Sequence, residues 1–167
     1  MQDATAHNLK EAFAGESQAA MKYSVFAAEA EKAGLPEVAR LFRAVSFAEQ
    51  VHAANHLREL GNVGDTAANL QAAEDGEIYE VEQMYPAFKD VAKSQGEKGA
   101  LRSIHYALEA EKLHIGLYHQ AGEMVLAGHD IEGRPVYVCP VCGHTVVGEP
   151  PAKCPTCGQP AGNFHRF

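Results

Sequence analysis

The chain has 167 residues, with 22 acidic against 14 basic side chains and a formal net charge of −8, enough for one ordinary domain and a small appendage. That balance lacks the basic stripe that neutralises phosphates, which argues against a nucleic-acid partner. No run approaches the ~18 apolar residues of a membrane span, and the opening MQDATAHNLKEAF has no basic region followed by an apolar run, so a soluble cytoplasmic protein without a membrane partner is expected.

Apolar residues recur at helical spacing from about Asn8 to Ala33, as far as Gly34-Leu35-Pro36, and again from about Glu37 to Leu60, before Gly61-Asn62-Val63-Gly64. The spacing predicts two helices joined by a tight turn. After Asp65, a candidate N-cap, helical patterning runs to about Ser94, breaks around Gly96 and continues to roughly Ala127. Pro86 lies inside the third helix and should bend it, because it removes a donor and clashes with the preceding turn.

From Gly128 onward Gly, Pro and Cys become frequent, and Arg134 to Val138 reads as a short strand leading to Cys139. The expected organisation is a helical domain over 1–130 and a second over 131–167. The second is too short for its own apolar core and needs a metal or another staple.

The chemistry repeats. Gly15-Glu16 is echoed by Gly76-Glu77, 61 residues on, and Glu49-Gln50-Val51-His52 by Glu111-Lys112-Leu113-His114, 62 residues on. Residues three apart share a helix face, so each Glu-x-x-His can aim a carboxylate and an imidazole at one point. A single such segment is weak, since it more often marks a solvated pair. The ordered set of Glu, Glu-x-x-His, Glu, Glu-x-x-His, one element per helix, is the ligand pattern of two-metal carboxylate bundles.

Ala48 and Ala53 flank the first segment and Ala107 and Ala110 precede the second, with Phe47 and Leu108 nearby, so burial of these acids is expected. Buried carboxylates need neutralising, and two divalent cations would do it.

Glu80 shares the face of Glu77 and is either a spare ligand or a solvated acid. Tyr23 and Tyr85 could donate hydrogen bonds into the site or serve as packing aromatics. His56 reads as a surface or supporting residue, and the other six histidines have no spacing argument.

Cys139-Pro140-Val141-Cys142-Gly143 and Cys154-Pro155-Thr156-Cys157-Gly158 form two knuckles with inward thiolates. Four sulfurs suit zinc and iron alike, so a structural zinc ribbon and an iron redox centre both remain open on spacing. Cysteines confined to this pattern favour a reducing compartment.

Several motifs together resemble the rubrerythrins: Ala12 to Ala19 around Gly15-Glu16, Phe42-Arg43-Ala44, Ala48 to Ala53, Gly76-Glu77-Ile78-Tyr79-Glu80, Met84-Tyr85-Pro86 and the closing Cys-Pro-x-Cys-Gly pair. The resemblance covers essentially the whole chain. It implies an all-α ferritin-like four-helix bundle followed by a small irregular or β rubredoxin-like domain. Glu16, Glu49, Glu77, Glu80, Glu111 and His114 would bind two iron ions, with Glu49 and Glu111 bridging. His52 would replace Glu80 in the reduced state, and Tyr23 and Tyr85 would help order ligands and supply protons. Cys139, Cys142, Cys154 and Cys157 would hold one further iron, with zinc possible in a preparation.

The implied activity is hydrogen peroxide reduction, with electrons passing from the four-cysteine iron to a neighbouring subunit's centre in a homodimer. No Gly-x-Gly-x-x-Gly occurs, so reducing equivalents would come from a separate NAD(P)H-dependent reductase or a rubredoxin. Two alternatives are a ferritin-like ferroxidase or iron store, which has no need of a cysteine-ligated carrier, and a zinc-ribbon interaction protein, whose tail would offer only Arg134, Lys153 and Arg166 as cations.

Overall fold

The computed structural model describes residues Met1 to Phe167, which form two compact units, Met1–Gly64 and Asp65–Phe167. The first unit is a hairpin of α1 (Asp3–Lys32) and α2 (Pro36–Glu59). Helix α1 stops where Gly34 takes φ +73°, a left-handed conformation open to glycine without steric cost. The amides of Leu35 and Gly34 then bond the carbonyls of Ala30 and Glu31 at 2.9 and 3.0 Å. Pro36 opens α2, where its missing N–H is no loss.

The hairpin closes on small side chains. Ala20, Ala27 and Ala30 of α1 and Ala39, Ser46 and Ala53 of α2 are its buried residues. Steps of seven or three residues keep each set on one stripe, and groups this small let two helices approach closely. Ser46, buried among them, donates from Oγ to the Ala20 carbonyl at 2.7 Å, which satisfies the hydroxyl and pins the register. Phe47 is 66% exposed, and alanine-sized groups rather than rings fill the seam.

The second unit contains α3 (Thr66–Tyr79), a π-helical turn (Glu80–Met84), α4 (Tyr85–Ser94) and α5 (Lys98–Leu126). As expected, Asp65 caps α3, its carboxylate accepting from the Ala68 amide at 2.8 Å. The irregularity expected at Pro86 takes the form of the π turn. The Tyr85 amide reaches back five residues to the Glu80 carbonyl, and Pro86 falls in the first turn of α4, where it is tolerated.

The repeat explains why a π turn is needed. Glu16 to Gly34 is 18 residues and Glu77 to Gly96 is 19, whereas Gly34 to Glu49 and Gly96 to Glu111 are both 15. The second hairpin carries one extra residue in its first helix, and a π turn lets a helix absorb a single insertion.

Beyond α5 lie β1 (Val136–Val138), β2 (Thr145–Val147) and β3 (His165–Arg166), in the order β2-β1-β3 with both pairings antiparallel. The module's core consists of Cys139, Cys142, Cys154 and Phe164, and Tyr106 of α5 packs against it. An aromatic borrowed from the helix thus enlarges a core too small to stand alone. No helix is long and apolar enough to cross a membrane.

Candidate metal centres

In the first hairpin, Glu16 on α1 and Glu49 and His52 on α2 bring one ligand atom each within 4.8 Å of one another. His52 Nδ1 is 2.9 Å from Glu49 Oε2 and 3.9 Å from Glu16 Oε1. The Ser46–Ala20 hydrogen bond sits one turn away, since Ala20 follows Glu16 by four residues and Ser46 precedes Glu49 by three. That contact sets which faces of α1 and α2 meet, and so aims both carboxylates at the imidazole.

The second unit repeats the arrangement atom for atom. Glu77 on α3 and Glu111 and His114 on α5 form the matching group, with His114 Nδ1 2.6 Å from Glu111 Oε2 and 3.8 Å from Glu77 Oε1. The sequence repeat is therefore a repeat of geometry.

Electrostatics mark this second group as short of positive charge. Burial pushes the Glu77 carboxyl up to about 7, helped by the charge of Glu111, a hydrogen bond to it and the charge of Glu80. Glu80, at the start of the π turn, is raised by burial and by Glu111, against the lowering effect of His114. The Tyr85 phenol is raised by burial and then by Glu80, Glu111 and Glu77. Glu80 and Tyr85 thus lie beside the group. Tyr23, in the first unit, packs with Phe26 and Phe42 at ring separations of 6.2 Å each.

Carboxylates that resist ionising and an imidazole nitrogen facing them are a donor set that hard to borderline cations satisfy. The residues present fit two iron ions.

The four cysteine thiols are free and lie within 4.8 Å of one another. Their knuckles match. The Cys139 amide bonds the His144 carbonyl and the Gly143 amide the Cys139 carbonyl, at 2.9 and 3.0 Å. The Cys154 amide bonds the Gln159 carbonyl and the Gly158 amide the Cys154 carbonyl, at 2.7 and 2.8 Å.

Sulfur pairs approach to 3.5 Å for Cys139–Cys157 and 3.4 Å for Cys142–Cys154, compatible with closing on one tetrahedral ion. Burial raises the Cys154 thiol, but donation from the Cys157 and Thr156 amides and from Cys142 outweighs it and brings the group to about 7. Burial drives Cys142 upward despite the His144 amide.

Two contacts have no signal in the sequence. Thr145 on β2 lies 2.9 Å from His114 Nε2, and nothing in its neighbours announces a partner 31 residues away. His119, which has no spacing argument, pairs through Nδ1 with Glu74 at 3.0 Å. The π turn does leave a signal, in the step of the repeat offset from 61 to 62.

Comparison with known proteins accounts for both parts of the chain. The rubrerythrin family model matches residues 7–121, and the model described as the rubrerythrin rubredoxin-like domain matches residues 137–165. Rubrerythrin-2 of Clostridium acetobutylicum is 42% identical over 152 residues, covering 83% of each chain. Nigerythrin of Nitratidesulfovibrio vulgaris is 35% identical over 152 residues, covering 83% of this chain and 74% of its own. Among solved structures, nigerythrin in its fully reduced, all-ferrous state superposes with a TM-score of 0.59 at 31% identity, covering all of this chain and 88% of the other.

Proposed function

The chain belongs to the rubrerythrin family, and on that premise we propose that it is an oxidoreductase that reduces hydrogen peroxide to water in defence against oxidative stress. Residues 1–130 form its catalytic part and 131–167 its electron relay. The observation that carries this reading is the pair of matched carboxylate–imidazole groups in a chain whose four-sulfur core packs against α5, the helix bearing one of them. A ferroxidase has no use for such a core.

Each peroxide takes up two electrons and two protons and leaves as two water molecules. Glu16, Glu49, Glu77, Glu80, Glu111 and His114, with His52 as the alternate to Glu80, would hold two irons, which when bound would supply two electrons and the Lewis acidity that O–O cleavage requires.

The chain's own groups do the rest. Tyr85, kept protonated by burial and by the carboxylates around it, would donate a hydrogen bond toward them, and Tyr23 is the corresponding phenol of the first hairpin. Glu77, with its raised carboxyl pKa, holds a proton near neutral pH until a cation displaces it. Cys139, Cys142, Cys154 and Cys157 would hold one further iron, which when bound would pass electrons back one at a time.

Those electrons come from a separate NAD(P)H-dependent reductase or a rubredoxin. Four free thiols suit the reducing cytoplasm. Val25, Phe26, Leu41 and Phe47 leave an exposed apolar surface on the first hairpin, which supports a homodimer in which a second copy covers it.

Metal analysis combined with stopped-flow mixing tests the reading. Iron in both kinds of site, and oxidation of the reduced protein by stoichiometric peroxide within the mixing time or shortly after, are the expected results. Zinc in the cysteines of protein isolated from its native cell, with no turnover, would sink the relay.

A further inference from the structure

His52 and His114 are equivalent in the repeat, yet they are not held equally. Each turns Nδ1 toward two carboxylates. At His52 no bond to the other ring nitrogen accompanies this, and the side chain is 52% exposed. At His114, 26% exposed, Nε2 meets Thr145 Oγ1 at 2.9 Å.

The hydroxyl has a single proton, and Thr145 Oγ1 donates to the Gly143 carbonyl at 2.9 Å. Toward His114 it can therefore only accept, so Nε2 carries hydrogen and Nδ1 is the nitrogen left for a metal.

The support behind Thr145 is rigid. Tyr106, Ala110 and His114 follow one another at four-residue intervals and form one stripe of α5. Tyr106 packs on the cysteine core, and a side chain on Gly143, which has φ +77°, would meet Ala110 Cβ at 3.6 Å. The Gly143 carbonyl follows Cys142 directly in the chain, so the bond to Thr145 links a cysteine knuckle to the imidazole.

We propose that Thr145 is a positioning residue that locks His114 as the permanent imidazole ligand of the metal pair, while His52, lacking such a tie, remains free to exchange. The inference deepens the peroxidase reading and rests on it. It also gives the small module a second task beyond carrying electrons: it orients a ligand of the helical site in its own chain. The bonded route from Cys142 through Gly143 and Thr145 to His114 runs within one chain.

The test uses the full chain loaded with zinc, which is diamagnetic, and reads the histidine ring protons and nitrogens by NMR. His114 should show an Nε2 proton slow to exchange with water, and His52 one that exchanges rapidly. Thr145→Val should remove that protection and weaken zinc binding at the carboxylate site by roughly 10–100-fold, the usual effect of losing a metal ligand's supporting partner. Affinity at the cysteines should be unchanged, and Thr145→Ser should restore both properties.

A proton on His114 Nδ1 with zinc on Nε2, unchanged protection in Thr145→Val, equal weakening at the cysteines, or a serine variant as poor as valine would each overturn the proposal while leaving the metal reading intact. Failure of zinc to bind near His114 at all would overturn both. Because the tautomer is read on the unsubstituted chain, the proposal stays open to refutation even if the valine variant does not fold.

Discussion

Glu77 and Glu111 face the same imidazole nitrogen, His114 Nδ1 lying 3.8 Å from Glu77 Oε1 and 2.6 Å from Glu111 Oε2. Two carboxylates this close repel each other when both are ionised, and burial together with the charge of Glu111 raises the Glu77 carboxyl to about 7.

This gives metal-free protein a defined pH dependence. Glu77 titrates at 4.5 without its surroundings and at about 7 within them, so between these values the folded chain binds more protons than the unfolded one. The stabilisation is fully present below about 4.5 and is lost as pH rises through about 7. Urea unfolding midpoints of metal-free protein should fall across that window, and Glu77→Gln should flatten the fall. A midpoint that rises between pH 5 and 7 in the native sequence, and rises equally in the variant, would contradict this account.

The seam of the first hairpin predicts intolerance to small increases in volume at Ser46. Ser46→Val removes the bond to the Ala20 carbonyl and inserts a methyl group where alanines touch, and should destabilise the protein by about 1–3 kcal/mol. Ser46→Ala should cost only about 1 kcal/mol. Denaturant titration ranks the two. The valine variant should also bind metal more weakly at Glu16 and Glu49, since their helices are forced apart.

Cys142→Ser separates the two halves of the proposed reaction. Steady-state peroxide reduction with an external reductase should be abolished, while a single oxidation of the chemically reduced carboxylate site should survive. Persistence of turnover in a stopped-flow and steady-state comparison would show that the cysteine module is not the electron donor.

The two tyrosines should not be equivalent. The carboxylates of the second group act directly on Tyr85, whereas Tyr23 packs with Phe26 and Phe42. Tyr85→Phe should slow single-turnover peroxide cleavage by roughly 100-fold, the low end for losing a positioned proton donor. Tyr23→Phe should slow it much less. Rapid mixing of each reduced variant with peroxide gives both rates, and equal effects would argue against a special place for Tyr85.

Much of the molecule is legible in the amino-acid sequence by itself. Glu-x-x-His places two ligands on one face whatever surrounds the helix, because a three-residue step is nearly one turn. Gly34 and Gly96 end helices through a backbone conformation that other residues resist, and Cys-Pro-x-Cys-Gly closes a knuckle by bonds confined to six residues. These features are local, and local sterics and periodicity suffice to encode them.

What tertiary structure alone decided lies in contacts between distant segments. Pro86 pointed to a bend, but whether the helix kinks or takes up an extra residue in a π turn depends on keeping Glu77 in register with Glu111 on α5.

Ser46 and Thr145 are ordinary hydroxyl residues in their own stretches of chain. They gain meaning only when folding brings Ala20 or His114 within hydrogen-bonding distance, 2.7 and 2.9 Å, because a hydroxyl's role is set by the partner it meets and no periodicity announces that partner. The repeat in the sequence made His52 and His114 look alike; the packing of β2 against α5 made them different.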